Sequence, residues 1–240
     1  MKELENDLSD YWKQHWNSIS QNIDEQSQVG RTVRRKPISS EVFEKTVQWV
    51  KQKMQINKES VILELCCGNG VWTTHFSRLV KHVIAVDFSE PLLNVLKMEL
   101  AIQKITNVTV KLEDVSVIND NDYKYFTHIF WYFAIQHFSE KEIIFLFEMA
   151  YNILKNTKGG IFYIGDIPDK EKLWNFAHTK EYVKMYFDSL KNDSPAIGTW
   201  FMKKDLMKLG EYTGFTKHEI IEQPNWQINS KYRFDMKLET

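Results

Sequence analysis

Ile62-Leu63-Glu64-Leu65-Cys66-Cys67-Gly68-Asn69-Gly70 is the stretch that decides the fold. An apolar run containing one acid is followed by two small residues and two glycines, and Val71 to Leu79 then reads as a helix. The pattern predicts a buried strand, a tight turn and a helix N-terminus, the geometry that lets backbone approach a ligand closely. A second apolar run, Val83-Ile84-Ala85-Val86, ends in Asp87, seventeen residues after Gly70. An acid at the tip of a second strand can accept hydrogen bonds from both hydroxyls of a ribose. Together the two strands predict a nucleoside-bearing ligand on an α/β sheet.

The dinucleotide fingerprint G-x-G-x-x-G is not met. Aligned on Gly68, its outer glycines fall at Cys66 and Val71, where a diphosphate needs close backbone approach. Glu64, just before the turn, suits a cationic ligand better than a diphosphate. At these residues the chain resembles the class I S-adenosylmethionine-dependent methyltransferases, whose first motif is E/D-x-x-x-G-x-G. It is matched here by Glu64 to Gly70, with Cys66 where the family usually has glycine. The resemblance covers residues 40–170 and implies S-adenosylmethionine as cofactor, with S-adenosylhomocysteine as product. It assigns Glu64, Cys66, Gly68 and Gly70 to the cofactor turn and Asp87 to the ribose. Phe88 and Leu92 fall beside the adenine. Asp114, followed by Val115, takes the adenine amine, a place for which Glu113 competes. Tyr132 ends the fourth strand, and Phe133 to Phe138 resembles the family's stretch after that strand, which often carries a histidine. Lys158-Gly159-Gly160 resembles its punctuation before the fifth strand.

The expected fold is a Rossmann-like, seven-stranded, mostly parallel sheet with a terminal antiparallel hairpin and helices on both faces. Strands are expected near 61–65, 82–86, 108–112, 128–132, 160–165, 216–222 and 232–238. Ser39 or Ser40 caps one helix, Pro91 sits in the first turn of another, and Ser139 with Glu142 forms a capping box. A long aromatic helix is expected over 171–190. Residues 1–38 read as an N-terminal lid, with Tyr11, Trp12 and Trp16 at helical spacing and an ordered loop over 28–38. Residues 39–240 form the methyltransferase domain, with a substrate-recognition insertion over about 167–200.

Methyl transfer to a hydroxyl needs alignment and a place for the proton. His137, past the fourth strand, and Asp166, at the end of the fifth, are the candidates for a catalytic base. Arg31 and Arg34 in the N-terminal loop, with Tyr11 and Trp200, are candidates for holding the acceptor, since guanidinium forks match anionic groups. Gly198-Thr199-Trp200-Phe201 and Tyr232-Arg233-Phe234-Asp235 resemble methyltransferases of bacterial surface-polysaccharide and specialised-metabolite pathways.

Composition narrows the classes further. A net charge of −1 argues against a broad nucleic-acid footprint. The two cysteines are adjacent, so no disulfide framework is expected, which fits a cytoplasmic protein. No charged-then-apolar leader or long apolar run predicts secretion or a membrane span. The seven histidines are scattered, so no metal is expected. The resulting expectation is a methyltransferase acting on a small molecule at oxygen, the acceptor being anionic or linked to a sugar or nucleotide. The protein is expected to be a monomer or homodimer. An amine N-methyltransferase and a non-catalytic binding protein are the alternatives.

Overall fold

The computed structural model describes residues 6–18, 24–30, 32–33, 36–192 and 198–240. Helices α1 (Asn6–Asn17) and α2 (Glu25–Gln28) and the two-residue strands β1 (Thr32–Val33) and β2 (Lys36–Pro37) precede the main domain. There follow α3 (Ser40–Met54), β3 (Val61–Leu65), α4 (Val71–Ser77), β4 (His82–Asp87), α5 (Glu90–Ile102), β5 (Val108–Leu112), β6 (His128–Tyr132), α6 (Glu140–Leu154) and β7 (Ile161–Pro168). The chain ends with α7 (Leu173–Phe176), α8 (Lys180–Lys191), α9 (Lys203–Thr213), β8 (Lys217–Glu222) and β9 (Arg233–Glu239).

The large sheet has the order β5-β4-β3-β6-β7-β9-β8. The first five strands in that order are parallel, and β9 runs antiparallel to both β7 and β8. The chain moves outward from β3 through β4 to β5, then returns to the other side of β3 as β6. That reversal makes a crevice at the carboxyl ends of β3, β4 and β6, where open α/β sheets bind ligands.

Strand alternation builds a core on each face. Leu63, Leu65, Ile129, Trp131, Phe162 and Ile164 point toward α6 and α9. Ile62, Val83, Ala85, Phe130 and Tyr163 point toward α3, α4 and α5. The strands between the two helical layers are buried on both faces, hence the near-continuous apolar runs. The expected caps are present. Ser39 Oγ accepts from the Val42 amide at 3.3 Å, and Ser139 and Glu142 bond reciprocally.

Three local expectations need correction. The 28–38 segment contains the β1–β2 ladder and not only loop. The aromatic helix expected over 171–190 is broken. The His178 ring nitrogen Nδ1 bonds the Asn175 and Phe176 carbonyls at the end of α7, and Thr179 Oγ1 then caps α8 by accepting from the Tyr182 amide. Finally, β7 runs past Gly165 to Pro168, because a bulge at 164–167 lets it continue pairing with β9. Asp166 therefore lies within a strand and not at its tip.

Candidate active site

The turn after β3 is built from alternating left-handed residues. Cys66, Gly68 and Gly70 have φ of 56°, 55° and 78°. Cys66 thus adopts the conformation that favours glycine, at the position where glycine is usual in the resembled motif. Two of these positions are also crowded. A Cβ on Gly70 would lie 2.2 Å from Leu96 Cδ1 on α5, and one on Gly68 would lie 2.9 Å from Val29 Cγ1. The turn is pinned from below, with the Cys67 amide donating to the Val86 carbonyl and the Gly68 amide to Asp87 Oδ2 at 2.8 Å. Asp87 Oδ1 accepts from the Ser89 amide at 2.8 Å.

Two carboxyls under this turn are buried, and no ion pair reaches either among the described residues. Burial pushes Glu64 up to about 8, against the hydrogen bond it accepts from Thr73 Oγ1 at 2.7 Å. Burial pushes Asp87 up to about 6, against the amides that bond it. Desolvated carboxyls of this kind are complementary to a cation, which restores the ionised form. Burial likewise raises both cysteine thiols well above their ordinary value, so neither is an activated nucleophile.

These groups open into a cavity of about 100 Å³ that is partly open to solvent. Glu64, Cys66, Gly68, Asn69, Asp87, Phe88, Leu92 and Asp114 line one part of it. Tyr132, Phe133, Ala134, His137 and Phe138 line another, and Trp12, Lys13 and Trp16 of α1 close over it. Lys13 Nζ lies 2.6 Å from Asp114 Oδ2, and Ser116 bonds the other oxygen. Burial works against the Asp114 carboxylate, but Lys13 and Ser116 hold it below the usual range. Asn69 Nδ2 donates to the Glu25 carbonyl and to Gln28 Oε1, both at 2.9 Å, tying the turn to α2.

His137 meets Trp12 at 4.0 Å and Trp16 at 5.6 Å between ring centroids. Burial, with Arg233 and His15 adding to it, lowers its pKa to about 3. Arg233 on β9 stacks its guanidinium over Phe133 at 4.7 Å and bonds Gln136 and the Asp166 carbonyl.

Residues 62–157 match a family described as "Methyltransferase domain". Over those residues, less than half of its length, the chain carries a methyltransferase domain. Within 93 residues it is 33% identical to the demethylmenaquinone methyltransferase of Staphylococcus saprophyticus, over 35% of this chain and 39% of that protein. It therefore spans well under half the length of that relative. An S-adenosylmethionine-dependent methyltransferase of Leishmania major superposes with a TM-score of 0.67 at 12% identity, over 97% of this chain and 83% of that one. Phosphoethanolamine N-methyltransferase 1 of Haemonchus contortus, solved with phosphoethanolamine and S-adenosylhomocysteine, gives a TM-score of 0.56 at 17% identity. That match covers 67% of this chain and 32% of the other. At such identities the structural matches speak for the fold.

The methyltransferase fold gathers most of the expected cofactor set at one cavity: Glu64, Cys66, Gly68, Asp87, Phe88, Asp114 and Tyr132. Gly70 caps α4 against Leu96 instead of lining the cavity. Val115 is buried in the core beside it. Of the catalytic candidates, His137 is a wall residue. Asp166 is turned into a separate buried network, accepting from Gln223 Nε2 at 3.1 Å and Asn229 Nδ2 at 2.9 Å, because the bulge and its φ of 59° aim it there. Among the acceptor candidates, Tyr11 is largely exposed and packs on the edge of Trp12. Trp200 packs on Phe176 and Tyr232 away from the cavity. Arg31 and Arg34 lie outside the described residues. Lys13, Asn69, Gln136 and Arg233 were not in the expected set. The motif positions of Asn69 and Arg233 drew attention to their neighbourhoods, but Lys13 carries no sequence signal. Among the described residues no three metal-binding side chains converge, and no helix is long and apolar enough to cross a membrane.

Proposed function

We propose that the protein transfers the methyl group of S-adenosylmethionine to a hydroxyl oxygen of a small molecule. The carrying observation is one cavity with two desolvated carboxyls under a glycine turn at one side and His137 among aromatic rings at the other. When bound, S-adenosylmethionine supplies an activated methyl group on a positive sulfur. Glu64 and Asp87 fit its cationic methionine end and its ribose. Cys66 and Gly68 let the backbone approach, and Phe88 and Leu92 fit the adenine. Asp114 reaches the adenine amine once Lys13 has released it, with Val115 packing beneath.

The acceptor binds between Tyr132, Phe133, His137 and the lid helix α1, which excludes water. Residues 1–38 are the lid, residues 39–240 the catalytic domain, and the segment over 167–200 contributes to acceptor recognition from behind the 133–138 loop. An anionic, sugar- or nucleotide-linked acceptor requires a cation, a role that falls to Arg31 and Arg34. A second reading, methylation of an amine, draws support from the aromatic walls, since ring faces attract ammonium groups.

Calorimetric titration with S-adenosylhomocysteine tests the cofactor assignment. Binding that is lost in Asp87→Ala supports it, and no binding to folded wild type refutes it. A mass-spectrometric screen of hydroxyl and amine acceptors then separates the two transfer readings.

A further inference from the structure

The polar side chains of the 133–138 loop are held in one orientation. Gln136 is buried, its Nε2 donates to the Phe133 carbonyl at 2.8 Å, and its Oε1 accepts from Arg233 Nη1 at 3.4 Å. The reversed amide would set oxygen against carbonyl and NH₂ against guanidinium, so this orientation is fixed. The same NH₂ faces His137 Nε2 at 3.3 Å. A nitrogen receiving that hydrogen bond presents its lone pair. The single proton of the neutral imidazole is then on Nδ1. His137 Nδ1 is buried and has no hydrogen-bond partner among the described residues, and neither does Trp12 Nε1 on the adjacent ring.

Two N–H donors on adjacent rings with nothing to donate to cost about 1–3 kcal/mol each if left so. Their complement is an oxygen bearing lone pairs, best of all a charged one. A general base would present a lone pair here. The burial-depressed imidazole stays neutral at any pH well above about 3. The titratable and charged groups around it are Arg233 behind Phe133, His15 on α1, and Lys13 tied to Asp114, with Glu64 and Asp87 under the glycine turn.

Within the oxygen-methylation reading, we infer that His137 donates a hydrogen bond from Nδ1 to the acceptor oxygen, with its tautomer set by Gln136 and Arg233. The acceptor is accordingly a flat, acidic hydroxyl compound, a phenol or enol, that binds as its oxyanion between aromatic walls. Its proton leaves to solvent on binding, so no protein base is needed. In the transfer an oxygen lone pair forms the bond to the methyl carbon as the carbon–sulfur bond breaks, with that electron pair staying on sulfur. Oxyanion and sulfonium become a neutral ether and a neutral thioether. Trp12 and His137 hold the attacking oxygen. Asp166, whose main-chain carbonyl accepts from Arg233 at 2.5 Å, is a positioning residue for Gln136 and not a base.

The test has two arms on the full chain. In ¹⁵N-histidine spectra at neutral pH, His137 shows a protonated Nδ1 and a bare Nε2, and Gln136→Glu, which accepts where glutamine donates, reverses them. The opposite wild-type tautomer, or an unmoved one in folded Gln136→Glu, overturns the relay. The wild-type spectrum alone decides it if the variant does not fold. In the second arm, kcat/KM is followed against pH for phenols with pKa from about 6 to about 10, the upper end being that of tyrosine. A midpoint that tracks the acceptor's own pKa supports oxyanion binding, and one that stays fixed overturns it in favour of a protein base. A panel in which amines but no phenols or enols are methylated overturns the acceptor class and the oxygen reading together. Loss of S-adenosylhomocysteine binding instead overturns the cofactor assignment beneath both.

Discussion

Replacing Glu64 by Gln tests the electrostatics of the cofactor turn. Burial raises this carboxyl from an ordinary 4.5 to about 8. At pH 7 the free protein therefore carries a proton on Glu64 in roughly nine molecules of ten. A cationic ligand needs the ionised form, so binding expels roughly 0.9 proton at pH 7, and affinity rises roughly fifty-fold between pH 6 and pH 8 from this residue. Asp87, raised to about 6, adds about a further factor of two over the same span. The sign for stability is opposite. The fold holds a proton that the unfolded chain gives up, so ligand-free stability is greatest below about 4.5 and falls as pH climbs to about 8. The total is roughly 4–5 kcal/mol at about 1.36 kcal/mol per pKa unit. Calorimetry with S-adenosylhomocysteine in two buffers of different ionisation heat measures the protons released. Wild type should release close to one at pH 7 and Glu64→Gln almost none, a comparison that cancels the ligand's own amine. The variant should also melt higher than wild type without ligand at pH 8. Equal proton release in both proteins would refute the reasoning.

Three further outcomes are expected. Gly70→Ala forces a Cβ to 2.2 Å from Leu96 at a φ of 78°, which should cost roughly 2–4 kcal/mol in urea unfolding and weaken S-adenosylhomocysteine binding; an unchanged midpoint would contradict it. Cys66→Gly should leave stability within about 1 kcal/mol, because relief of the left-handed strain offsets the lost thiol packing; a loss beyond about 3 kcal/mol would show that the thiol is structurally required. Lys13→Met should change stability by less than about 1 kcal/mol, the ion pair being part-exposed. The same variant should speed S-adenosylhomocysteine association several-fold in stopped-flow tryptophan fluorescence, and an unaltered rate would mean that α1 does not gate entry.

The sheet was legible because its strands are short apolar runs punctuated by Gly68, Gly70, Gly159 and Gly160, and because the Ser39 and Ser139 caps state their purpose locally. That Glu64, Gly68 and Asp87 meet at one cavity was legible for the same reason, since they lie at or beside strand tips whose order fixes where they meet. The opposite wall was less so. Asp166 reads as a strand-end acid until its strand is seen to continue, which depends on pairing with β9 nearly seventy residues later. Lys13 meets Asp114 across a hundred residues with no periodicity to announce it. The break at 177–179 is set by side-chain bonds from His178 and Thr179 to nearby backbone, against a strong helical aromatic pattern.

Trp12, Lys13 and Trp16 form part of the cavity wall but belong to a helix outside the sheet. On the proposed function, the glycine turn that would recognise the donor and the helix that would shape the acceptor chamber lie in different stretches of sequence. On the same reading, substitutions at Trp12 and Trp16 would remodel what is methylated while leaving the glycine turn in place, whereas Lys13 also reaches Asp114 on the donor side. Exchanging this helix for that of a related methyltransferase is accordingly a direct test of whether it shapes acceptor preference.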